Sequence, residues 1–318
     1  MRTEADRPLV EGLGERLRAG LGRLVEPGEP VALLDFPNHG NAGDSLIWLG
    51  TLAWLQAGGH ELAYAADHTG FSAPELRRRL PRGTILLHGG GNFGDLWPVY
   101  QRFREHVIAS FPRHRIVQLP QTVHFGRHDA ARGAADVIGR HPDLTICVRD
   151  RASERLVREE MRARCELLPD MAFALGPLDA GEPRHEVLCL LRDDLERVAG
   201  RPAPAGVRTD WPEQAARWRS LRQATRVAGK LGSLVPPIAR LAAPSLAVGY
   251  ERLANERLDA GLRVVGSGSL VVTDRLHGHI LALLAGVPHV LLDNSYGKLR
   301  GFWEAWTREA TTVQVTEL

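Results

Sequence analysis

The sequence predicts an α/β protein of two domains that face each other across a cleft. Three observations carry this expectation. The chain is 318 residues long, beyond the size at which one hydrophobic core usually stops growing. Short apolar runs alternate with longer segments of helical period, the pattern of a mostly parallel sheet with helices on both faces. The alternation breaks at Gly176 to Arg184, where Gly-Pro-Leu-Asp-Ala-Gly-Glu-Pro-Arg has the composition of an exposed linker.

Before that linker, Val31 to Phe36, Glu61 to Ala65, Thr84 to His88, Arg115 to Leu119 and Leu144 to Val148 read as strands with helix-like stretches between them. After it, Glu186 to Leu191, Leu270 to Thr273 and His289 to Leu292 read as strands, and Pro212 to Lys230, Tyr250 to Val265 and Leu276 to Ala285 as helices. Ligands of such sheets bind beyond the carboxyl ends of the strands, so functional residues are expected just after them. Gly229 to Gly249 is the least legible stretch, because it is apolar yet carries Pro236, Pro237 and Pro244, which argue against a long helix. A buried connection is the first reading for it. A mobile flap is another, and peripheral attachment to a membrane surface ranks below the buried connection because basic residues there are few.

Hydrophobic residues make up 44% and charged residues 25% of the chain, which suits a globular protein and excludes a disordered or fibrous one. With 40 Lys+Arg against 38 Asp+Glu the net charge is only +2, so no global field would draw the protein onto nucleic acid. Any anion must be met by a local cluster. Cys147, Cys165 and Cys189 are widely spaced and form no CxxC pair; they read as buried thiols in a reducing compartment, and no metal site is expected. Met1 to Gly20 carries acids and arginines in place of a secretory apolar core. No stretch approaches the roughly 18 to 20 apolar residues of a membrane span. A cytoplasmic enzyme is the expectation.

Three strand ends gather chemistry. Asp35-Phe36-Pro37-Asn38-His39-Gly40-Asn41-Ala42-Gly43-Asp44 opens an apolar helix. Asn41 and Asp44 fall at its start, where unpaired N–H groups favour a cap or a bound anion. His88-Gly89-Gly90-Gly91-Asn92-Phe93-Gly94-Asp95 also lies between a strand and a helix. Its Gly89, Gly91 and Gly94 fit the spacing of a dinucleotide-binding turn, but the next strand ends in Pro120-Gln121 where a ribose-binding acid would be needed. Thr273-Asp274-Arg275-Leu276-His277-Gly278-His279 joins a guanidinium and two imidazoles to a helix start, a match for phosphate or carboxylate. Simpler roles compete: Asp274 as a cap, Arg275 paired with Asp274, His279 as a satisfied surface side chain. Arg192 and Lys298 share the same end of the second sheet, which makes a joint anion pocket.

Asn41-Ala42-Gly43-Asp44, the triple glycine Gly89 to Gly91, Val148-Arg149-Asp150, Thr273 to His277, and Asp293-Asn294-Ser295-Tyr296-Gly297-Lys298 resemble, in order, the motifs of the polysaccharide pyruvyltransferases. The resemblance runs from about Val31 to Trp306. It implies two Rossmann-like domains facing a central cleft, similar to the GT-B glycosyltransferases. Residues 1–180 would form the acceptor side and residues 181–318 the donor side. It also implies phosphoenolpyruvate as the donor substrate, no cofactor, and a saccharide or lipid-linked saccharide acceptor.

On that reading the donor side comprises Arg275, Arg192, Lys298, His279, Gly278 and Ser295. Asn41, Gly43, Gly90, Gly91 and Asn92 face the acceptor. His277 is the expected general acid, and Asp44 or Asp95 would orient or deprotonate the acceptor hydroxyl. Two rivals stay open: a glycosyltransferase of the same architecture using a nucleotide sugar, and a non-catalytic saccharide-binding protein.

Overall fold

A computed structural model describes residues 3–193, 204–211, 216–293 and 297–316. The first half runs α1 (Arg7–Leu21), β1 (Val31–Leu34), α2 (Ala42–Ala57), β2 (Leu62–Ala66), α3 (Ala73–Arg79), β3 (Thr84–Leu87) and β4 (Gly90–Gly94). It continues with α4 (Pro98–Ser110), β5 (Arg115–His124), α5 (His128–Gly139), β6 (Leu144–Val148), α6 (Arg151–Glu159) and β7 (Arg164–Leu167). The second half runs β8 (His185–Leu190), β9 (Val207–Thr209), α7 (Ala216–Leu234), α8 (Pro236–Gly266) and β10 (Gly268–Thr273). It ends with α9 (Leu276–Leu284), β11 (His289–Leu292), α10 (Lys298–Phe302) and β12 (Val313–Thr316).

These strands form two parallel sheets. The first has the order β2-β1-β3-β5-β6-β7, and β4 joins it on β5. The second has the order β12-β11-β10-β8-β9. β1 and β3 are buried at every position, which is why β1 is an unbroken apolar run and β3 is apolar after Thr84, in place of alternating patterns. The expected strand Arg115 to Leu119 extends five residues further, to His124. Its first part pairs with β3 and its second with β4. The ladder to β6 shifts between Gln118 and Gln121, where Pro120 has no N–H to donate.

The glycine-rich stretch after β3 is therefore a short strand, not a turn leading straight into a helix. That removes the dinucleotide reading.

Gly229 to Gly249 corrects the expectation most. It is helical on both sides of Val235, and α8 runs for 31 residues with Pro244 inside it. Pro236 and Pro237 stand in the first turn, where a missing N–H costs nothing. Pro244 leaves the carbonyl of Arg240 without its helical donor, and the Arg79 guanidinium supplies one at 3.0 Å.

Though it belongs to the second half of the chain, α8 is fastened to the first sheet. Tyr250 stacks on Phe36 with ring centroids 4.2 Å apart, and Arg257 donates to the carbonyl of Pro37 at 2.9 Å. One apolar cluster includes Leu33 and Trp48 from the first half and Leu253, Leu281 and Phe302 from the second. The segment 176–184 is irregular, as its composition suggests, yet Leu178 is anchored by donating to the carbonyl of Leu284 at 2.8 Å.

All three cysteines are buried, and burial pushes the Cys165 thiol up to about 12. No helix among the described residues is long and apolar enough to cross a membrane.

Candidate functional site

A cavity of about 330 Å³ lies where strand ends of the two sheets meet. Asp35 follows β1, His88 follows β3, Arg192 lies just past β8, Arg275 follows β10 and Lys298 begins α10. Each lines the cavity, as the strand-end rule requires. His39, Asn41, Asp44 and His277 complete its polar wall, and Trp97, Tyr100 and Trp211 supply aromatic surface.

The wall from the second sheet is cationic. The Arg192 backbone N–H donates to Asp274 at 2.9 Å, so Asp274 ties the ends of β8 and β10 together. Arg275 pairs with Asp210 at 2.5 Å, not with its neighbour Asp274. His277 sits in the first turn of α9 over an ion pair that sequence reasoning did not find. Arg149 donates to Asp170, and both side chains are fully buried. The His277 Nε2 atom lies 3.5 Å from the Asp170 carboxylate and 3.4 Å from the Arg149 guanidinium. Burial works against ionisation of Asp170, but Arg149 and His277 hold its carboxyl well below the usual range. Arg149 is itself held by Thr122 at 3.1 Å and, through its carbonyl, by the Trp306 indole at 2.8 Å.

The opposite wall is acidic. Asn41 caps α2, its side chain accepting from the Gly43 N–H at 2.9 Å. Asp44 stands one turn on, 3.6 Å from His39. Burial raises its pKa, yet His39, His277, His88 and Lys298 outweigh that and leave it below its ordinary value. Burial pushes His88 down to about 4 against the pull of Asp44, so it is neutral at physiological pH.

Asp35 is the least ordinary residue here. Its φ is +71°, outside the range most side chains adopt, and Oδ1 is buried without a hydrogen-bond partner. Burial lifts its pKa from 3.8 to about 7, opposed by Arg104 and Asn92. The ionised form is thus penalised in the folded state. That cost is absent below 3.8 and complete above about 7. Asp35→Asn, which tolerates the same backbone, should raise stability by about 1–4 kcal/mol at pH ~8, with the gain shrinking toward pH ~4. Urea midpoints measured across that range would show it.

The structure brings Arg192, Arg275, His277 and Lys298 into one cavity with Asn41, Asp44, Gly91 and Asn92. Gly43 and Gly91 permit this closeness. A Cβ on Gly43 would stand 2.5 Å from the Cβ of His277, and one on Gly91 would stand 2.4 Å from the Lys298 ammonium nitrogen. Gly90 approaches Asp44 but does not line the cavity.

Three expected residues stand elsewhere. His279 is wholly buried, bonded to His289 at 2.7 Å and to Thr307 at 2.9 Å. Helical period explains this, because two positions beyond His277 the side chain turns to the far face of α9. Asp95 accepts from the backbone N–H groups of Gly126 and Arg127 and fastens that loop at the surface. Gly278 packs on Thr273, whose hydroxyl a Cβ would meet at 2.5 Å. Ser295 lies outside the described residues.

Two parallel sheets thus meet at a strand-end cavity that is basic on one wall and acidic on the other. The chain belongs to the polysaccharide pyruvyl transferase family, whose profile matches residues 41–296. It is 32% identical to Pyruvyl transferase 1 of Schizosaccharomyces pombe over 88% of this chain and 70% of that one. It is 31% identical to EpsO of Bacillus subtilis, which carries the name pyruvyl transferase provisionally, over 94% and 92% of the two chains. In fold it is similar to a solved, functionally uncharacterized protein of Klebsiella pneumoniae, with a TM-score of 0.61 at 16% identity over 96% of this chain and 99% of that one.

Proposed function

We propose that this protein transfers the pyruvyl group of phosphoenolpyruvate to a saccharide, as a ketal, in the assembly of exopolysaccharide or cell-envelope glycan. One observation carries the reading: a single cavity sets Arg192, Arg275 and Lys298 against Asp35 and Asp44, with His277 among them. Phosphoenolpyruvate bears a phosphate and a carboxylate, and charge-assisted contacts from two arginines and a lysine suit both. His277 protonates the methylene carbon while a sugar hydroxyl attacks the neighbouring carbon. A second hydroxyl then closes the ketal as phosphate departs with its electron pair, and the protons lost by the hydroxyls pass to a carboxylate and to phosphate. Asp44 or Asp35 orients the incoming hydroxyl or takes its proton. In this reading residues 1–180 form the acceptor side and residues 181–318 the donor side of a GT-B-like cleft.

The test is incubation with phosphoenolpyruvate and a panel of cell-envelope sugars, followed by mass spectrometry for pyruvylated product and assay of released phosphate. A rise in melting temperature with nucleotide sugars, and none with phosphoenolpyruvate, would favour a glycosyltransferase and overturn the reading. Arg275→Ala should raise the KM for phosphoenolpyruvate about 10- to 100-fold, the usual cost of losing a charged hydrogen bond. An unchanged KM would remove Arg275 from the donor site.

A further inference from the structure

The hairpin of α7 and α8 carries a surface that the cavity does not explain. Six of the nine exposed large hydrophobic side chains among the described residues fall between Val227 and Val248. On α7, Val227, Leu231 and Leu234 recur at the i, i+4, i+7 spacing of one helix face; on α8, Pro237, Leu241, Pro244 and Val248 do the same. The two stripes converge at Val235, the break between the helices. Leu234 is 70% and Leu241 81% exposed, values that a single helix buried against a sheet would not leave.

Charge identifies the partner. From Gln214 to Tyr250 the chain has six basic residues, Arg217, Arg219, Arg222, Arg226, Lys230 and Arg240, and no acidic one. Over the whole protein the two signs nearly balance; within this segment Arg222 and Arg226 lie toward His39 and His68, while Lys230 and Arg240 stand exposed beside the apolar stripe with no acidic residue between them. A protein partner of ordinary composition would need only the apolar stripe. A bilayer with anionic headgroups satisfies both, because apolar side chains enter the headgroup boundary and the cations stay among the phosphates.

We infer that the tip of this hairpin docks peripherally on an anionic membrane surface. Midway along α7, Thr225 stands 3.5 Å from Asn38, whose chain neighbours Pro37 and His39 line the cavity. Nine residues of helix separate Thr225 from Leu234, about 14 Å. Docking therefore holds the cavity close to the bilayer, within reach of a saccharide carried on lipid. The docking stands whether or not the transferase reading does.

Flotation of the full chain with vesicles tests it. The chain should float with phosphatidylcholine containing about 30 mol % phosphatidylglycerol, and about tenfold less with phosphatidylcholine alone. The double variant Leu234→Glu, Leu241→Glu should lose about tenfold or more of that binding while keeping its melting temperature and its activity on a soluble saccharide. Absence of wild-type flotation with the anionic vesicles, or equal flotation of the double variant, would overturn the inference. So would light scattering that finds a dimer which the same variant turns to monomer and which does not float, since a second copy would then cover the stripe.

Discussion

His277→Ala is expected to lower turnover about a hundredfold or more at saturating phosphoenolpyruvate and acceptor, the usual loss when a general acid is removed. The geometry favours a large effect. His277 lines the cavity with its ring against Asp170 and Arg149, and no Cβ at position 43 crowds it from the other side. A ring held on two sides is fixed in orientation, which is the positioning that acid catalysis needs. Single-turnover rates in a rapid-quench assay would report the chemical step apart from product release. Turnover retained within a few-fold would remove His277 from the chemistry and leave the cationic wall as a binding site only.

Arg149→Met is expected to destabilise the fold by about 3–5 kcal/mol, because it leaves the Asp170 carboxylate buried and unpaired. No water reaches either partner, since both side chains have zero exposure, so solvent cannot compensate the loss. The urea midpoint should fall with little change in slope. A drop below about 1 kcal/mol would mean that His277 and the Ala172 N–H, which donates to Asp170 at 2.9 Å, carry the charge unaided. As methionine has nearly the volume of the arginine stem, the result would separate lost charge from lost packing.

Much of this architecture was legible in the chain. The runs Leu144 to Val148 and His289 to Leu292 are strands with the expected ends, because strands largely buried on both faces are mostly apolar. Less visible were β4, β7, β9 and β12, whose short or polar sequences have no apolar run to announce them. The helix α1 was also missed. Its buried residues Val10, Leu13, Leu17 and Leu21 have helical spacing, but acids and arginines stand between them and no apolar run marks the segment. Arg275, Arg192 and Lys298 line the cavity, a placement legible in the chain because each comes at or soon after the end of a strand. Arg149 also follows a strand and stands in the Val148-Arg149-Asp150 motif, but its pairing with Asp170 was not legible, since the two lie 21 positions apart and nothing in the chain links them. His279 was misplaced for the opposite reason: its type suggested chemistry while its helix phase pointed it inward.

The packing of α8 on the first sheet has a consequence for how such chains can be divided. A cut between residues 180 and 181 would strip Phe36 of the ring that covers it and leave Leu253 and Tyr250 wetted on the other fragment. Neither piece would carry a closed surface of its own. Exchange of parts between relatives must therefore move this helix together with the sheet it covers.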